Sequence, residues 1–175
     1  MPGSDRTYRF TAVLERSANK LWGAHVRVPQ HVAEKLLDSN RRVICVLNGT
    51  SEFQCAMLPQ RGGSFVISVN KPLREKLGVT FGMEIGVSLR MDRSAYGLPV
   101  PEELEELFRQ DRQGSRLFHT LTRGRQRTLL YMVGSVKSPD KRTARAVTIL
   151  AHLKMNKGRI NYRQLYTAMR AGVQR

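Results

Sequence analysis

The sequence predicts an α+β protein: a small N-terminal β-barrel with short capping helices, followed by an all-helical C-terminal region. Up to about Asp92 apolar residues recur mostly at every second position, the period of a half-buried strand. Beyond Pro99 they recur at three-to-four spacing, the period of a helix packed on one side. Between the two, Arg93 to Val100 holds Gly97 and Pro99, with Pro101 just after, and this punctuation marks a linker. The expected organisation is a barrel domain over residues 1–95 and a basic helical region over residues 99–175.

In the first half, Tyr8, Phe10, Ala12 and Leu14 alternate with Arg9, Thr11, Val13 and Glu15 as one strand. Trp22, Ala24, Val26 and Val28 alternate with Gly23, His25 and Arg27 as the next, which puts His25 on the polar face. Pro29 to Ser39 reads as a short helix with proline at its first position and Val32, Ala33, Leu36 and Leu37 on one face. Val43 to Leu47 and Phe53 to Leu58 flank Asn48-Gly49, two residues that tolerate positive φ and so suit a hairpin turn. Gly62-Gly63 reads as a turn into the strand Ser64 to Val69. Pro72 to Leu77 is a second short helix, closed by Gly78, and Met83, Ile85, Val87, Leu89 and Met91 make a sixth strand. Short strands separated by turns and capped by helices suggest a small barrel.

In the second half, Pro101-Glu102-Glu103 opens a helix with acids at the positive end of its dipole, and Leu104, Leu107 and Phe108 follow on one side. Further helices fit Ser115 to Leu121, Arg127 to Lys137 with Leu129, Leu130, Val133 and Val136 on a stripe, and Asn161 to Arg170 with Leu165, Tyr166 and Met169. Ser138-Pro139-Asp140 reads as an N-cap with proline at the first helical position, starting a helix that runs towards Gly158.

The 41% hydrophobic content suffices for a core, and no apolar run reaches the roughly 18 to 20 residues of a membrane span. Met1 to Arg9 is polar and charged rather than a signal-peptide core, so the expected location is the cytosol. Two cysteines, Cys45 and Cys55, make neither a disulfide framework nor a Cys-x-x-Cys site, and both are expected reduced. If the hairpin loop spans Gly49 to Ser51, Cys45 faces Cys55, which admits a redox-switchable pair; the plainer reading is two small core residues. Trp22 likewise reads as a barrel residue first and a stacking platform second.

No metal or cofactor is expected. His25, His31, His119 and His152 lack partners at metal-ligand spacing; His31 reads as a first-turn helix residue, and His119 and His152 as partly buried helix positions. Gly62-Gly63-Ser64 leads into a strand rather than a helix, unlike a phosphate loop, and a Gly-x-Ser-x-Gly elbow is missing.

The strongest signal is charge. The net charge is +16, and from Arg112 to Arg175 there are 15 Lys and Arg against one acid, Asp140, so 14 of those charges lie in the last 64 residues. Such an excess opposes folding by self-repulsion, and its usual meaning is an anionic partner. Arg123, Arg125 and Arg127 precede a helix; Lys137, Lys141, Arg142 and Arg145 cluster at a helix start; Lys154, Lys157, Arg159 and Arg163 surround the next junction, with Tyr162 and Tyr166 as stacking candidates. The competing reading is that Glu102, Glu103, Glu105 and Glu106 dock against this region and neutralise part of it.

In order and spacing, several segments resemble the YdeI/OmpD-associated family, also labelled bacteriocin-protection proteins. They include Trp22-Gly23 with Val28-Pro29, Val43 to Asn48, Gly62-Gly63-Ser64, Val69-Asn70-Lys71, Lys76-Leu77-Gly78 and Val100-Pro101-Glu102-Glu103-Leu104. In the tail, Phe118 with Leu121, and Lys137-Ser138-Pro139-Asp140 with Arg142, are similar to the family's C-terminal signature. The resemblance implies a double-split barrel of the AbrB-like kind followed by a helical tail; its label is a phenotype and not a reaction. The family's tail commonly has an acid-Thr-Arg run where this chain has Asp140-Lys141-Arg142.

The expectation from these observations is a non-enzymatic binding protein that holds nucleic acid or another polyanion through the eleven basic residues from Arg123 to Arg163 named above. The rival is a stress or bacteriocin-protection factor acting through a protein or membrane-surface partner. Oligomeric state is not indicated.

Overall fold

The computed structural model describes residues 6–18, 23–37 and 41–172, so Trp22 and Ser39 lie outside the described residues. The chain divides into two compact units, Met1–Gly97 and Leu98–Arg175.

In the first unit, strands β1 (Tyr8–Arg16), β2 (Ala24–Val28), β3 (Arg42–Leu47), β4 (Ser51–Ala56), β5 (Leu58–Pro59), β6 (Phe65–Ser68) and β7 (Glu84–Met91) alternate with helices α1 (Gln30–Leu36) and α2 (Lys71–Leu77). The strands pair antiparallel in the order β4-β3-β7-β1-β2-β6-β5. The two edge strands, β4 and β5, are consecutive in the chain, separated by Met57 alone, so the sheet curls into a nearly closed barrel. Leu14, Val26, Val43, Leu47, Ile67, Ile85 and Leu89 fill it with no exposure to solvent. Closure hides edges that would otherwise offer unpaired backbone to other chains. This is the α+β barrel that the strand period predicts, with β5 as a seventh strand too short to signal itself.

Several local expectations change. The β3–β4 loop is Asn48 to Thr50, with Leu47 opposite Ser51, so Cys45 faces Phe53 and Cys55 faces Val43. Asn48 and Gly49 take φ of 48° and 68°, and the Thr50 N–H donates to the Leu47 carbonyl, which closes the turn one residue early. Asn48 also fixes the turn to β7, its Oδ1 accepting from the Gly86 N–H at 2.9 Å. Shifting each partner by two keeps both thiols on one face but makes them diagonal neighbours. Pro29 has an extended ψ of 138° and is the N-cap of α1 rather than its first residue; Leu37 is its extended C-cap and is 42% exposed. His25 is buried at 4% exposure, because both faces of β2 are covered everywhere except at Arg27. Met83 lies outside β7 and is exposed.

The second unit holds α3 (Glu102–Gln110), α4 (Arg112–His119), α5 (Arg123–Gly134), α6 (Pro139–Met155) and α7 (Tyr162–Gly172). Helix α6 packs against each of the other four. Leu104, Phe118, Leu129, Val133, Ala146, Ile149 and Leu153 form a fully buried core. Phe118 packs against Phe108 with ring centroids 4.8 Å apart and the rings tilted by 48°. Ser138 caps α6, its Oγ accepting from the Lys141 N–H, and Pro139 follows at the first helical position, as the sequence indicates. Helix α4 starts at Arg112 and not at Ser115, since Asp111 caps it by accepting from the Gly114 N–H at 2.9 Å. Helix α5 starts at Arg123, so Arg123, Arg125 and Arg127 lie within it rather than ahead of it, and Val136 falls beyond its end. His119 is exposed, not partly buried.

Candidate functional site

The basic residues of the helical unit separate into two groups by what the fold does with them. Acids of the unit engage a few of them closely. Glu103 Oε1 lies 2.8 Å from both Nε and Nη2 of Arg142, whose Nη1 also donates to the carbonyls of Val136 and Lys137. Arg142 therefore ties the start of α3 to the start of α6. The Arg142 hydrogen bond holds the Glu103 carboxyl below its ordinary pKa. Lys154 Nζ lies 2.6 Å from Asp111 Oδ2 and joins α6 to the α4 cap. Arg109 pairs with Glu105 and Glu106 along α3. Arg145 donates from Nη1 to the Met132 carbonyl at 2.7 Å and to Ser135 Oγ, satisfying an end carbonyl of α5 with a cation where the dipole favours one. Of the eleven predicted contacts, Arg142, Arg145 and Lys154 therefore use part of their hydrogen-bonding capacity inside the fold, because acids or helix carbonyls sit within reach.

The second group has no ion pair among the described residues. Arg125 and Arg127 lie in the opening turns of α5, Lys137 and Lys141 flank the start of α6, Lys157 and Arg159 occupy the turn after α6, and Arg163 lies in the first turn of α7. All but Arg127 are well exposed, as is Arg123. Lys141 and the α5 arginines oppose the positive end of a helix dipole, so their position does not stabilise the fold.

Two hollows mark this unit. One, about 510 Å³, is lined by Pro99, Val100, Pro101, Leu130, Tyr131 and Arg142. The other, about 640 Å³, is lined by Tyr131 and Met132 of α5, Arg145 of α6, and Tyr166, Met169 and Arg170 of α7. Tyr131 and Arg170 carry no sequence signal beyond position: Tyr131 sits off the Leu129, Leu130, Val133 stripe, and a single aromatic residue on a solvated face is ordinary. Tyr166, grouped by spacing with Leu165 and Met169, is instead 51% exposed.

Titratable groups elsewhere have structural roles. His152 is buried, its Nε2 accepts from the Asn161 N–H at 3.1 Å, and burial pushes its pKa down. In the barrel, Ser17 Oγ lies 3.1 Å from His25 Nδ1 and Glu15 Oε2 lies 3.8 Å from His25 Nε2, an order superficially like a nucleophile, base and acid. Glu15, however, accepts from Arg27 at 2.7 and 3.0 Å, and His25 Nε2 has no hydrogen-bond partner among the described residues. Burial lowers the His25 pKa, the opposite of what an acid orienting it would do. Cys45 is fully buried, and a hydrogen bond with Cys55 followed by burial pushes its thiol pKa far up. Among the described residues no three His, Cys, Asp or Glu side chains come together as a set for a metal ion, and no helix is long and apolar enough to cross a membrane.

Fold and surface together define a two-unit protein, a small antiparallel barrel joined to a cationic helical unit. Residues 98–156 match the family described as Bacteriocin-protection, YdeI or OmpD-Associated, and residues 10–89 match a Domain of unknown function (DUF1905). The YdeI/OmpD-associated match thus falls within the helical unit and the match to the domain of unknown function within the barrel, the two segments in which the sequence resembles that family. No curated protein matches it.

Proposed function

We propose that the protein serves the bacteriocin-protection role named for the family that its helical unit matches, by binding rather than by catalysis, and that its partner is nucleic acid held through phosphate contacts. The observation that supports this is the distribution of ion pairs in the helical unit. Glu103, Glu105, Glu106 and Asp111 are taken up by Arg142, Arg109 and Lys154, while Arg125, Arg127, Lys137, Lys141, Lys157, Arg159 and Arg163 have no acid partner among the described residues. Cations that a fold neither pairs nor places favourably raise its self-repulsion, and an external polyanion relieves it. The same charge would repel a cationic peptide, which sets this reading apart from direct sequestration of a positively charged bacteriocin.

The test is the salt dependence of binding to generic duplex DNA and RNA. Log K is expected to fall against log salt with a slope of about −0.9 per phosphate contacted on duplex DNA. Replacing Lys137 and Lys141 by Gln should make that slope shallower by about two units while the melting temperature stays unchanged, since neither side chain holds the fold together. Absence of binding at micromolar protein and low salt would overturn the reading and leave a protein or membrane-surface partner in its place.

A further inference from the structure

The groove between α5, α6 and α7 carries chemistry that phosphate contacts alone do not use. Its floor is apolar, made by Met132 and Met169, which are nearly buried. Tyr131 and Tyr166 stand at it with 68% and 51% exposure, so neither ring gains the burial that a core position would give. Arg145 is anchored there through Nη1, yet its Nε is buried and has no hydrogen-bond partner among the described residues, a donor held ready at a loss in stability. Arg170 is exposed and makes no ion pair among the described residues, and no acid is among the residues lining the groove. The volume, about 640 Å³, lies within the roughly 300–1,000 Å³ of small-ligand sites.

Each feature selects against part of the possible ligand chemistry. An apolar segment would leave Arg170 and the Arg145 Nε without an anion, and a bare phosphate would leave two rings unused. A flat π-system joined to an anion uses all four side chains, and repetition of that unit is what a nucleic-acid strand offers once its bases are unpaired. We propose that this groove binds single-stranded nucleic acid, with bases stacked on Tyr131 and Tyr166 and adjoining phosphates held by Arg145 and Arg170. The proposal rests on the polyanion reading of the helical unit and adds the preference for unpaired bases.

The experiment measures fluorescence anisotropy of a labelled oligothymidylate with the full chain, against an abasic strand of equal charge and against inorganic polyphosphate. Tyr131→Ala and Tyr166→Ala should each weaken oligothymidylate binding by about 5- to 150-fold, the range for loss of one stacked base, with little change for the two base-free polymers. Tyr131→Phe and Tyr166→Phe keep the ring and should restore binding to within about twofold of the unaltered protein. Both tyrosines are exposed, so unchanged circular dichroism melting is expected for all four variants. If the base-free polymers bind as tightly as oligothymidylate and the Ala variants bind like the unaltered protein, the groove proposal falls while charge-driven binding stands. If none of the three polymers binds, both fall.

Discussion

Asp111 performs two tasks at once, and removing it should show both. Its Oδ1 accepts from the Gly114 N–H at 2.9 Å as the N-cap of α4, and its Oδ2 receives Lys154 Nζ at 2.6 Å from α6. Asp111→Ala removes a cap worth about 1 kcal/mol. It also removes an ion pair whose members are 22% and 37% exposed, worth about 0.2–1 kcal/mol after solvent screening. The total of about 1.5 kcal/mol should lower the melting temperature of the helical unit by on the order of 10 °C, given about 4–8 °C per kcal/mol for a domain of that size. Asp111→Asn keeps an acceptor for the cap and loses the charge, so it should recover more than half of the loss. The Lys154 hydrogen bond, and secondarily the Gly114 N–H, hold the Asp111 pKa below its ordinary value. A depressed carboxylate contributes stability that is complete above its unfolded pKa of about 3.9 and disappears as pH falls through the lower folded value. The difference between wild type and Asp111→Ala should therefore be flat from pH 7 to about 5 and shrink below about 4. Differential scanning calorimetry across that range decides it. A loss under 0.5 kcal/mol at pH 7, or Asn as damaging as Ala, would refute the assignment of the cap.

Two further outcomes follow from buried titratable groups. Burial lowers the pKa of His25 and His152, so below the unfolded value of about 6.5 the unfolded chain takes up more protons and stability falls as pH drops towards the folded values. Urea unfolding at pH 7 and pH 5.5 should show this loss, at most about 1.4 kcal/mol per pH unit for each histidine, and His152→Gln should reduce it; a pH-independent wild type would contradict the linkage. Cys45, buried and with its thiol pKa raised, should resist a thiol reagent until the barrel unfolds, and fast modification of both thiols in the folded protein would favour a redox-active pair.

What the sequence determined by itself was the part written in local periods. Alternation such as Tyr8, Phe10, Ala12 and Leu14 needs only the pleat of a strand, and Ser138-Pro139 needs only the geometry of a helix start, so barrel strands and helices were legible residue by residue. Asn48-Gly49 marked its hairpin because both residues tolerate positive φ, but the partner of each β3 residue depended on where the turn closed, and that moved Cys45 from Cys55 to Phe53. His25 looked polar-faced because alternation cannot tell whether the second face of a strand is covered.

Tertiary structure alone decided which charges were spent. Glu103 and Arg142 are 39 residues apart, and Asp111 and Lys154 are 43 apart, distances over which no helical or strand period operates. Gly114 costs α4 about 1 kcal/mol relative to Ala, and part of its reason is likewise remote: a Cβ there would lie 3.0 Å from Leu150 Cβ of α6, besides 2.7 Å from Oδ2 of the neighbouring cap Asp111. The groove brings Tyr131, Arg145 and Arg170 together from three helices for the same reason. Composition reported the sum of the charge, +16, but only packing divides it into cations that hold helices together and cations with no ion pair among the described residues, because pairing depends on distances in space that the order of residues does not encode.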